Sequence, residues 1–443
     1  MTKNNQTLVN EQQIPEGYKK TEVGLIPDDW ELIKLAEIAE VKMCKRVLSA
    51  QTKKNDVIPF FKIGTFGGEP DTYISKSLYD EFRAKYSFPE KGDILISAAG
   101  TLGKTVIYDG KESYFQDSNI VWLKVDKKKI SNEYLYHYYK VIQWAATEGT
   151  TIARLYNGII YDTQILLPPI NEQKIVAEAL SDTDALISEL EKLIEKKQAI
   201  KTATMQQLLT GKTRLPEFAL REDGTPKAYK ESELGQIPED WEVCKFEKLC
   251  KVFTKQTGFD YSAYIKPSLI KQYKRGHIPF VQNKDFEGKN FNFDTDYYIP
   301  KDIAEKFPNI LLNEKCLLIS ISGSIGNVGL FNESSLAFIG GAIAIAKFID
   351  PNKLDWVMYY MLSQQGQNTL LNNVKAGSHQ NITLEDIRKF SIPLPSDMEQ
   401  NLITSMLSSL DAEIKNLDFR LDKLKRIKLG MMQELLTGKT RLV

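Results

Sequence analysis

Three Gly-Lys-Thr triplets are the residues of this sequence that most readily suggest chemistry. They begin at Gly103, Gly211 and Gly438, and the same triplet closes the phosphate-binding loop of many nucleotide hydrolases. Such a loop needs another glycine five residues earlier, so that backbone N–H groups can surround the phosphates, and the three positions hold alanine or glutamine. The second and third triplets also follow long helical patterns, at the helix end that repels anions. Nucleotide hydrolysis is therefore not expected.

Thiol, imidazole and carboxylate groups give no catalytic or metal-binding pattern either. The cysteines are Cys44, Cys244, Cys250 and Cys316, and the histidines are His137, His277 and His379. No Cys-x-x-Cys pair occurs, which favours reduced thiols over zinc ligands. The Asp/Asn-Pro-Pro-Tyr/Phe tetrapeptide of amino-methyltransferases is absent, and acidic pairs such as Asp28-Asp29 are interpreted as solvated turn residues. The sequence predicts a protein that is not an enzyme and holds no metal or cofactor of its own.

Length and composition predict a protein of two or three domains that works in the cytoplasm. The chain has 443 residues, of which 42% are hydrophobic, and its 58 basic residues equal its 58 acidic residues. This balance removes the simplest argument for a nucleic-acid binder, although a local basic face is compatible with it. Residues 1–13 are polar and do not resemble a secretory signal. The longest nearly apolar stretch, 336–346, is too short to cross a membrane.

An internal repeat organises the whole chain. Residues 18–41 and 229–252 are identical at 11 of 24 positions, and residues 205–215 and 432–442 are identical at 10 of 11. The second pair shares the ending LLTGKTRL. The chain is therefore one unit of roughly 200 residues written twice.

The two copies diverge in their middles. Residues 42–150 and 253–376 agree only at landmarks such as the Ser/Gly loops at 97–103 and 320–326. Similar ends with different middles suggest two shared interfaces and two different recognition surfaces. Faster drift of tolerant loops is the alternative.

Each copy is predicted to consist of an α/β domain, which we call the front, followed by a long helix. Short β-like runs at 58–63, 93–97 and 120–125 are separated by Gly, Pro and Asp, and an amphipathic helix is predicted over 134–144. A Pro-rich stretch ends each front. In the second copy Ser396 and Glu399 then have the spacing of a helix capping box. The predicted fold class is duplicated α/β (α+β) recognition domains joined by two long antiparallel coiled-coil helices.

Apolar residues at heptad spacing predict that the two long helices pair with each other. The pairing residues are Leu180, Ile187, Leu190, Ile194 and Leu208 in the first helix, and Leu407, Leu410, Ile414, Leu417, Leu421, Leu424 and Leu435 in the second. Leu186, Leu193 and Ile200 are assigned to the same apolar set. Lys201 and Lys428 interrupt the ladder and predict a weakly packed layer. The alternative is that each helix binds a helix of another protein.

These features together resemble the specificity (S) subunit of type I restriction–modification enzymes. The resemblance rests on the IPxDWE openings at 26–31 and 237–242, the Ser/Gly loops, the Pro-rich ends, the heptad helices and the LLTGKTRL terminators. All of them occur twice and in the same order, over roughly 18–442.

The resemblance implies a non-catalytic subunit that recognises an asymmetric, bipartite DNA site. Two target recognition domains would each read one half-site, and the two helices would act as a ruler between them. The implied partners are double-stranded DNA, two methyltransferase (M) subunits and two restriction (R) subunits, with no membrane. S-adenosylmethionine, ATP and Mg²⁺ would be bound by those partner subunits.

The predicted segments follow the repeat. They are a flexible N-terminal tail (1–17), recognition domain 1 (18–168), spacer helix 1 (169–211), a linker (212–228), recognition domain 2 (229–395), spacer helix 2 (396–438) and a C-terminal tail (439–443).

Polar residues at paired landmarks are the candidates for DNA contact, because Asn, Gln, Arg, Lys, Ser and Thr read base edges. In the first copy they are Lys62, Thr65, Thr101, Lys104, Thr150, Thr151, Arg154 and Asn157. In the second copy they are Gln282, Asn283, Lys284, Ser322, Ser324, Asn327, Ser378, His379, Gln380 and Asn381. Each could instead stabilise a turn. The rival function is a protein–protein scaffold with two divergent partner-binding domains.

Overall fold

The chain folds into two compact units that each combine helices and strands. The structure, a computed structural model, describes residues 14–142, 144, 154–371 and 381–442. Unit 1 comprises residues 1–191 and 419–443, and unit 2 comprises residues 192–418. Each unit therefore contains one front and a part of each long helix. This confirms the predicted duplicated fold class, whereas most of the predicted tail 1–17 lies outside the described residues.

The front of unit 1 is built on two small sheets. Its strands are β1 (Tyr18–Thr21), β2 (Gly24–Pro27), β3 (Glu31–Lys34), β4 (Ala39–Met43), β5 (Ile58–Phe61), β6 (Tyr73–Ile74), β7 (Ile94–Ser97), β8 (Thr105–Ile107), β9 (Tyr114–Phe115), β10 (Ile120–Val125) and β11 (Gln164–Leu167). Its helices are α1 (Lys76–Lys85), α2 (Asn132–Tyr139), α3 (Asn157–Asp162) and the start of α4 (Ile170–Leu208). The four-stranded sheet has the order β4-β10-β7-β8 and is antiparallel, and the three-stranded sheet has the order β6-β5-β9. The strand pairs β1-β2 and β3-β11 form two further two-stranded sheets.

The four-stranded sheet is buried on both faces, which explains its uninterrupted apolar runs. Ile96 and Leu123 pack into the cluster that contains helices α2 and α4, while Leu95 and Trp122 pack into the cluster that contains β5 and β9. The sheet is thus fixed on both sides, and the loops at its ends are held by it.

Unit 2 repeats this plan. Its strands are β12 (Tyr229–Ser232), β13 (Gly235–Pro238), β14 (Glu242–Lys245), β15 (Cys250–Lys255), β16 (His277–Val281), β17 (Phe286–Glu287), β18 (Asn290–Phe291), β19 (Tyr298–Pro300), β20 (Leu311–Leu312), β21 (Cys316–Ser320), β22 (Val328–Phe331), β23 (Ala337–Ile339), β24 (Ile343–Phe348) and β25 (Ser391–Leu394). Its helices are α5 (Pro216–Ala219), α6 (Phe246–Leu249), α7 (Gly258–Asp260), α8 (Lys266–Ser268), α9 (Lys301–Ala304), α10 (Leu354–Leu362), α11 (Gln364–Leu371), α12 (Leu384–Arg388) and the start of α13 (Asp397–Leu435). The sheet β15-β24-β21-β22 corresponds to β4-β10-β7-β8.

The predicted amphipathic helix of the first copy is core rather than a base-stacking surface. Tyr134, Tyr138 and Tyr139 are buried, and the hydroxyl of Tyr134 donates to the carbonyl of Leu166 at 3.0 Å. In unit 2 the indole N–H of Trp356 makes the matching bond to a carbonyl at the end of its front.

The Gly-Lys-Thr triplets at 211 and 438 end the long helices. Gly211 and Gly438 have φ values of 70° and 71°, a conformation that glycine adopts without strain. A Cβ atom on Gly211 would lie 2.5 Å from Pro238, and one on Gly438 would lie 2.5 Å from Pro27. Each terminator therefore packs against an IPxDWE opening, which explains why these two segments are repeated so faithfully.

The arginine of the first terminator binds a buried glutamate at the start of α13. Arg214 donates two hydrogen bonds of 2.7 Å to Glu399, which also accepts the indole N–H of Trp241 at 3.2 Å. Asp240 accepts from the same guanidinium at 2.8 and 3.1 Å. The predicted capping box is therefore only half correct: Ser396 accepts the N–H of Glu399, but the glutamate carboxylate is used by Arg214 instead.

Unit 1 contains the same cluster. Arg441 donates to Glu172 at 2.7 and 3.0 Å and to Asp29 at 2.8 and 2.9 Å, and Trp30 donates to Glu172 at 2.9 Å. Asp29 and its counterpart Asp240 are exposed turn residues, as predicted, and each also binds a terminator arginine, which the sequence did not indicate.

The ladder lysines join the two long helices through ion pairs. Lys201 lies 2.5 Å from Asp411, and Lys428 binds Asp184. Burial by itself would raise the pKa of Asp411, but Lys201, Lys289 and the Tyr359 hydroxyl bring it below its ordinary value. The predicted weakly packed layer at these lysines therefore contains an ion pair in each unit, and its packing stays a prediction. The contacts run in opposite directions along the two helices, so within each unit the helices are antiparallel.

The predicted pairing residues are all buried or half-buried, from Leu180 to Leu435. Leu186, Leu193 and Ile200 behave differently, because their exposed fractions are 54%, 39% and 41%. Each of them lies one residue before a ladder position, which places it about 100° around the helix from the ladder. Their assignment to the paired face was wrong.

Candidate nucleic-acid interface

Four segments of unit 1 meet where β7 ends and β10 begins. Ala98 donates its N–H to the carbonyl of Asn119 at 2.8 Å and accepts from Leu155 at 2.9 Å. The N–H of Ile63 donates to the side chain of Gln116 at 3.0 Å. We call residues 62–66, 97–104, 116–119 and 154–155 the loop edge of unit 1.

Unit 2 has the same edge, made by the same backbone contacts. Ile321 donates to the carbonyl of Ala342 at 2.9 Å and accepts from Ile382 at 3.0 Å. The side-chain amide of Asn283 donates to the carbonyl of Ser322. We call residues 282–285, 320–327, 340–342 and 381–382 the loop edge of unit 2.

Buried serines hold the Ser/Gly loop of each edge in shape. Ser97 donates to the carbonyl of Thr101 at 2.5 Å and accepts the N–H of Lys104 at 2.8 Å. Ser320 donates to the carbonyl of Ser324 and accepts the N–H of Asn327 in the same way. Both hydrogen bonds of each serine hydroxyl are therefore made within the turn. The exposed residues at the tip of the turn are the ones available to a ligand.

Several candidates of the first copy have structural partners. Thr65 accepts the N–H of Lys62 at 3.1 Å, and the ammonium group of Lys104 donates to the carbonyl of Phe66 at 2.5 Å. Lys62 also lies 2.9 Å from Asp71. These contacts account for Thr65 and Lys104 as turn-stabilising residues.

In the second copy, Asn283 and Lys284 are likewise engaged. Asn283 donates to the Ser/Gly loop, and Lys284 forms an ion pair with Asp296. Asn327, at the end of the Ser/Gly loop, also lines a cleft of about 980 Å³ together with Lys289 and Asp411.

The remaining described candidates lie on the two edges or beside them and are exposed or half-exposed. They are Thr101, Arg154 and Asn157 in unit 1 and Gln282, Ser322, Ser324 and Asn381 in unit 2. The candidates Thr150, Thr151, Ser378, His379 and Gln380 lie outside the described residues.

Arg154 and Asn381 occupy equivalent positions. Arg154 forms a β-bridge with Ala99, and Asn381 forms one with Ser322. Ala99 and Ser322 each lie two residues after the buried serine of their loop. An arginine in one copy thus stands where the other copy has an asparagine.

Sequence reasoning missed the loop that precedes β10. Residues 116–119 (QDSN) line a cleft of about 430 Å³ together with Arg46, Lys62 and Arg154. Arg46 pairs with Asp117 at 2.7 Å, and Ser118 has a φ of 55°, which is uncommon for a residue other than glycine. Backbone strain of this kind often marks a functional site.

The counterpart loop of unit 2 is small and neutral. Residues 339–342 read IGGA, and the loop lies against Gln256. The side-chain oxygens of Gln256 and Asn283 are buried and have no hydrogen-bond donor among the described residues. The signal that could have located both loops is their position directly before the equivalent strands β10 and β24.

The described residues of these edges form no cluster of metal ligands. Within the described residues no group of three His, Cys, Asp or Glu side chains could hold a metal ion. Burial raises the pKa of Cys44, Cys250 and Cys316 to about 12, so these thiols stay protonated at neutral pH. No helix in the described ranges is both long and apolar enough to span a membrane.

The sequence matches one protein family over most of its length. Residues 27–202 and 238–426 each match the type I restriction modification DNA specificity domain.

Among curated proteins, the chain is 50% identical over 159 residues to a putative type I restriction enzyme specificity subunit of Haemophilus influenzae. This alignment covers 36% of this chain and 41% of that protein. It is 29% identical to the putative MjaX specificity subunit of Methanocaldococcus jannaschii, over 96% of this chain and 97% of that protein.

Solved structures show the same fold at low sequence identity. The type I restriction–modification S subunit of M. genitalium matches 92% of this chain and 96% of its own, with 14% identity and a TM-score of 0.57. A chain from a structural study of type I system assembly matches 94% of this chain and 99% of its own, with 16% identity and a TM-score of 0.52. The chain belongs to the family of type I restriction–modification DNA specificity subunits, the non-catalytic DNA-recognition component of these systems.

Proposed function

We propose that this chain reads an asymmetric, bipartite DNA site, with one loop edge for each half-site, and docks two modification and two restriction subunits in the cytoplasm. S-adenosylmethionine would be bound by the modification subunits, and ATP with Mg²⁺ by the restriction subunits.

One observation carries the proposal: the same edge is built twice, with different side chains. The backbone contacts of Ala98 and Ile321 are equivalent, so both edges present their residues in the same way. The residues presented differ, since residues 116–119 read QDSN before strand β10, whereas residues 339–342 read IGGA before strand β24. Two copies of one scaffold with different exposed groups support recognition of two different half-sites.

The chemistry at the equivalent positions favours different bases. Arginine pairs in a bidentate manner with the O6 and N7 atoms of guanine, and asparagine pairs with the N6 and N7 atoms of adenine. Arg154 would therefore select guanine in one half-site, and Asn381 would select adenine in the other.

The neutral total charge fits a subunit that shares DNA binding with partners. Contacts to phosphates supply most of the sequence-independent affinity for DNA and require cations. A chain with 58 basic and 58 acidic residues would rely on its docked subunits for part of this affinity.

The test is an exchange of recognition segments. Residues 42–150 would be replaced by the matching segment of another such subunit, and the chain would be expressed with its modification partner. Methylome sequencing should show one half of the recognised site changed and the other half retained. Replacement of 253–376 is the matched control and should change the other half. If either exchange altered both halves, or if neither altered the site, one recognition region per repeat would be wrong.

A further inference from the structure

One connection of unit 2 is longer and more aromatic than its counterpart in unit 1. Residues 257–276, which connect β15 to β16 and which we call the arm, contain three tyrosines, one phenylalanine, four basic residues and one acidic residue. The corresponding segment of unit 1, residues 45–57, is shorter; it also has four basic residues and one acidic residue, but it contains no aromatic residue. The arm is therefore a local basic and aromatic surface in a chain whose total charge is zero.

The arm is anchored at several points. Ile265 is fully buried and packs with the core around β16, and Ile270 exchanges hydrogen bonds of 3.0 and 2.8 Å with Tyr298. The helical run includes a π-helical turn at Tyr261–Ile265, just before Pro267, a residue that cannot donate a helix hydrogen bond. Such turns are frequent at functional sites. The arm thus holds its outward residues in a defined arrangement.

The outward residues of the arm combine aromatic rings with basic side chains. Phe259, Tyr264 and Tyr273 have exposed fractions of 74%, 55% and 64%. The basic residues are Lys266, Lys271, Lys274 and Arg275, all exposed. None of these four forms an ion pair within the part of the chain that the structure describes, which leaves their charge available to a partner.

The arm begins at the loop edge of unit 2. Gln256, directly before it, is buried, and its side-chain N–H donates to the carbonyl of Ile339 at 3.5 Å. A Cβ atom on Gly341 would lie 3.3 Å from the same side chain. DNA read by this edge would therefore pass beside the first residues of the arm. Lys271, Lys274 and Arg275 lie at the other end of β16, a strand of five residues, and would meet the duplex about 17 Å away from the edge.

We propose that the arm binds the DNA duplex next to the half-site that unit 2 reads. Its cations would bind phosphate oxygens, and its exposed rings would pack against sugars and base edges in a groove. Unpaired basic side chains beside exposed aromatic rings suit a nucleic acid, because its phosphate backbone is anionic and the edges of its bases in the groove are partly apolar. This inference rests on the proposed function, and it adds a contact to the duplex beside one half of the site.

The test uses the assembled complex of this chain with its modification subunits. The triple variant Lys271→Gln, Lys274→Gln, Arg275→Gln would be titrated with a duplex carrying the recognised site, between about 50 and 200 mM salt. The slope of log K against log salt should fall by about 2–3, because each phosphate contact contributes about 0.9. The double variant Phe259→Ser, Tyr264→Ser should weaken binding several-fold and leave the slope unchanged.

The matched control removes three charges elsewhere. Lys127, Lys128 and Lys129 are exposed in a turn after β10, at the opposite end of the sheet from the loop edge of unit 1. Their replacement by glutamine should change the slope by less than about 1. All replaced side chains of the arm are exposed, so the variants should fold, and thermal unfolding would verify this.

The outcomes separate the two proposals. An unchanged slope in the arm variant, with specific binding intact, would overturn the role of the arm and leave the proposed function standing. Loss of the modification subunits from the variant complex, without a change in slope, would assign the arm to a protein partner and overturn the inference as well. Failure of the unaltered complex to prefer any DNA sequence would instead refute the proposed function.

Discussion

The duplicated arginine–glutamate clusters allow one interaction to be measured in two environments within one chain. The replacement Arg214→Met leaves Glu399 unpaired, and both side chains are nearly fully buried, with 6% and 1% exposed. Removing one partner of a buried ion pair costs about 3–5 kcal/mol, because the remaining charge is left without compensation. In unit 1 the equivalent replacement is Arg441→Met, where the arginine is 28% exposed. Glu172 is itself only 2% exposed, but the partly exposed arginine leaves water a path to it once the guanidinium is removed, so we expect a smaller loss of about 1–3 kcal/mol.

The measurement is urea unfolding of the full chain, followed by tryptophan fluorescence. Arg214 lies 5.6 Å from the ring of Trp241, so this tryptophan reports on the site. With a slope of about 1–3 kcal/mol per molar urea, the Arg214→Met variant should shift the midpoint of its unit by about 1–5 M. The double variant Arg214→Met, Glu399→Gln should recover much of the loss, because it removes the unpaired charge and keeps an acceptor for Trp241.

Two results would refute this reasoning. Equal losses for Arg214→Met and Arg441→Met would show that burial does not set the cost. A double variant as unstable as the sum of its single variants would show that the arginine and glutamate are not coupled.

Three further outcomes are expected. Replacing Arg154 by Asn should lower the preference for guanine at one position of one half-site by about 1–3 kcal/mol, and Asn381→Arg should change a position of the other half-site; methylome sequencing that finds both variants unchanged would exclude these residues from readout. Burial would raise the pKa of Asp240, but nearby cations lower it to about 2, below the ordinary value of about 3.9. Its stabilisation is therefore present above about pH 4 and lost as pH falls towards 2, so the difference in unfolding free energy between the parent and Asp240→Asn should shrink over that range. Lys201→Met should destabilise unit 2 by about 1–2 kcal/mol, and adding Asp411→Leu should restore part of it, whereas no loss in urea unfolding would mean that the layer is only weakly packed.

The repeat and the heptad ladder could be predicted because both are defined by the order and spacing of residues along the chain. Heptad spacing fixes which residues share one face of a helix, whatever the rest of the chain does. Leu180 and Leu407 are buried where the spacing places them. The same argument failed for Leu186, which lies one position off the ladder and is exposed, because the width of a buried stripe depends on what packs beside the helix.

The partners of charged and polar side chains were decided by the tertiary structure. Nothing near Asp29 in sequence indicates Arg441, which lies more than four hundred residues away. The loop edges depend on the same kind of contact, since β7 and β10 bring the Ser/Gly loop beside residues 116–119. Composition and spacing determine which residue types are available and which faces are apolar. Strand pairing between distant segments decides which polar groups contact each other and which remain exposed to DNA. Short-range sequence patterns do not predict this pairing.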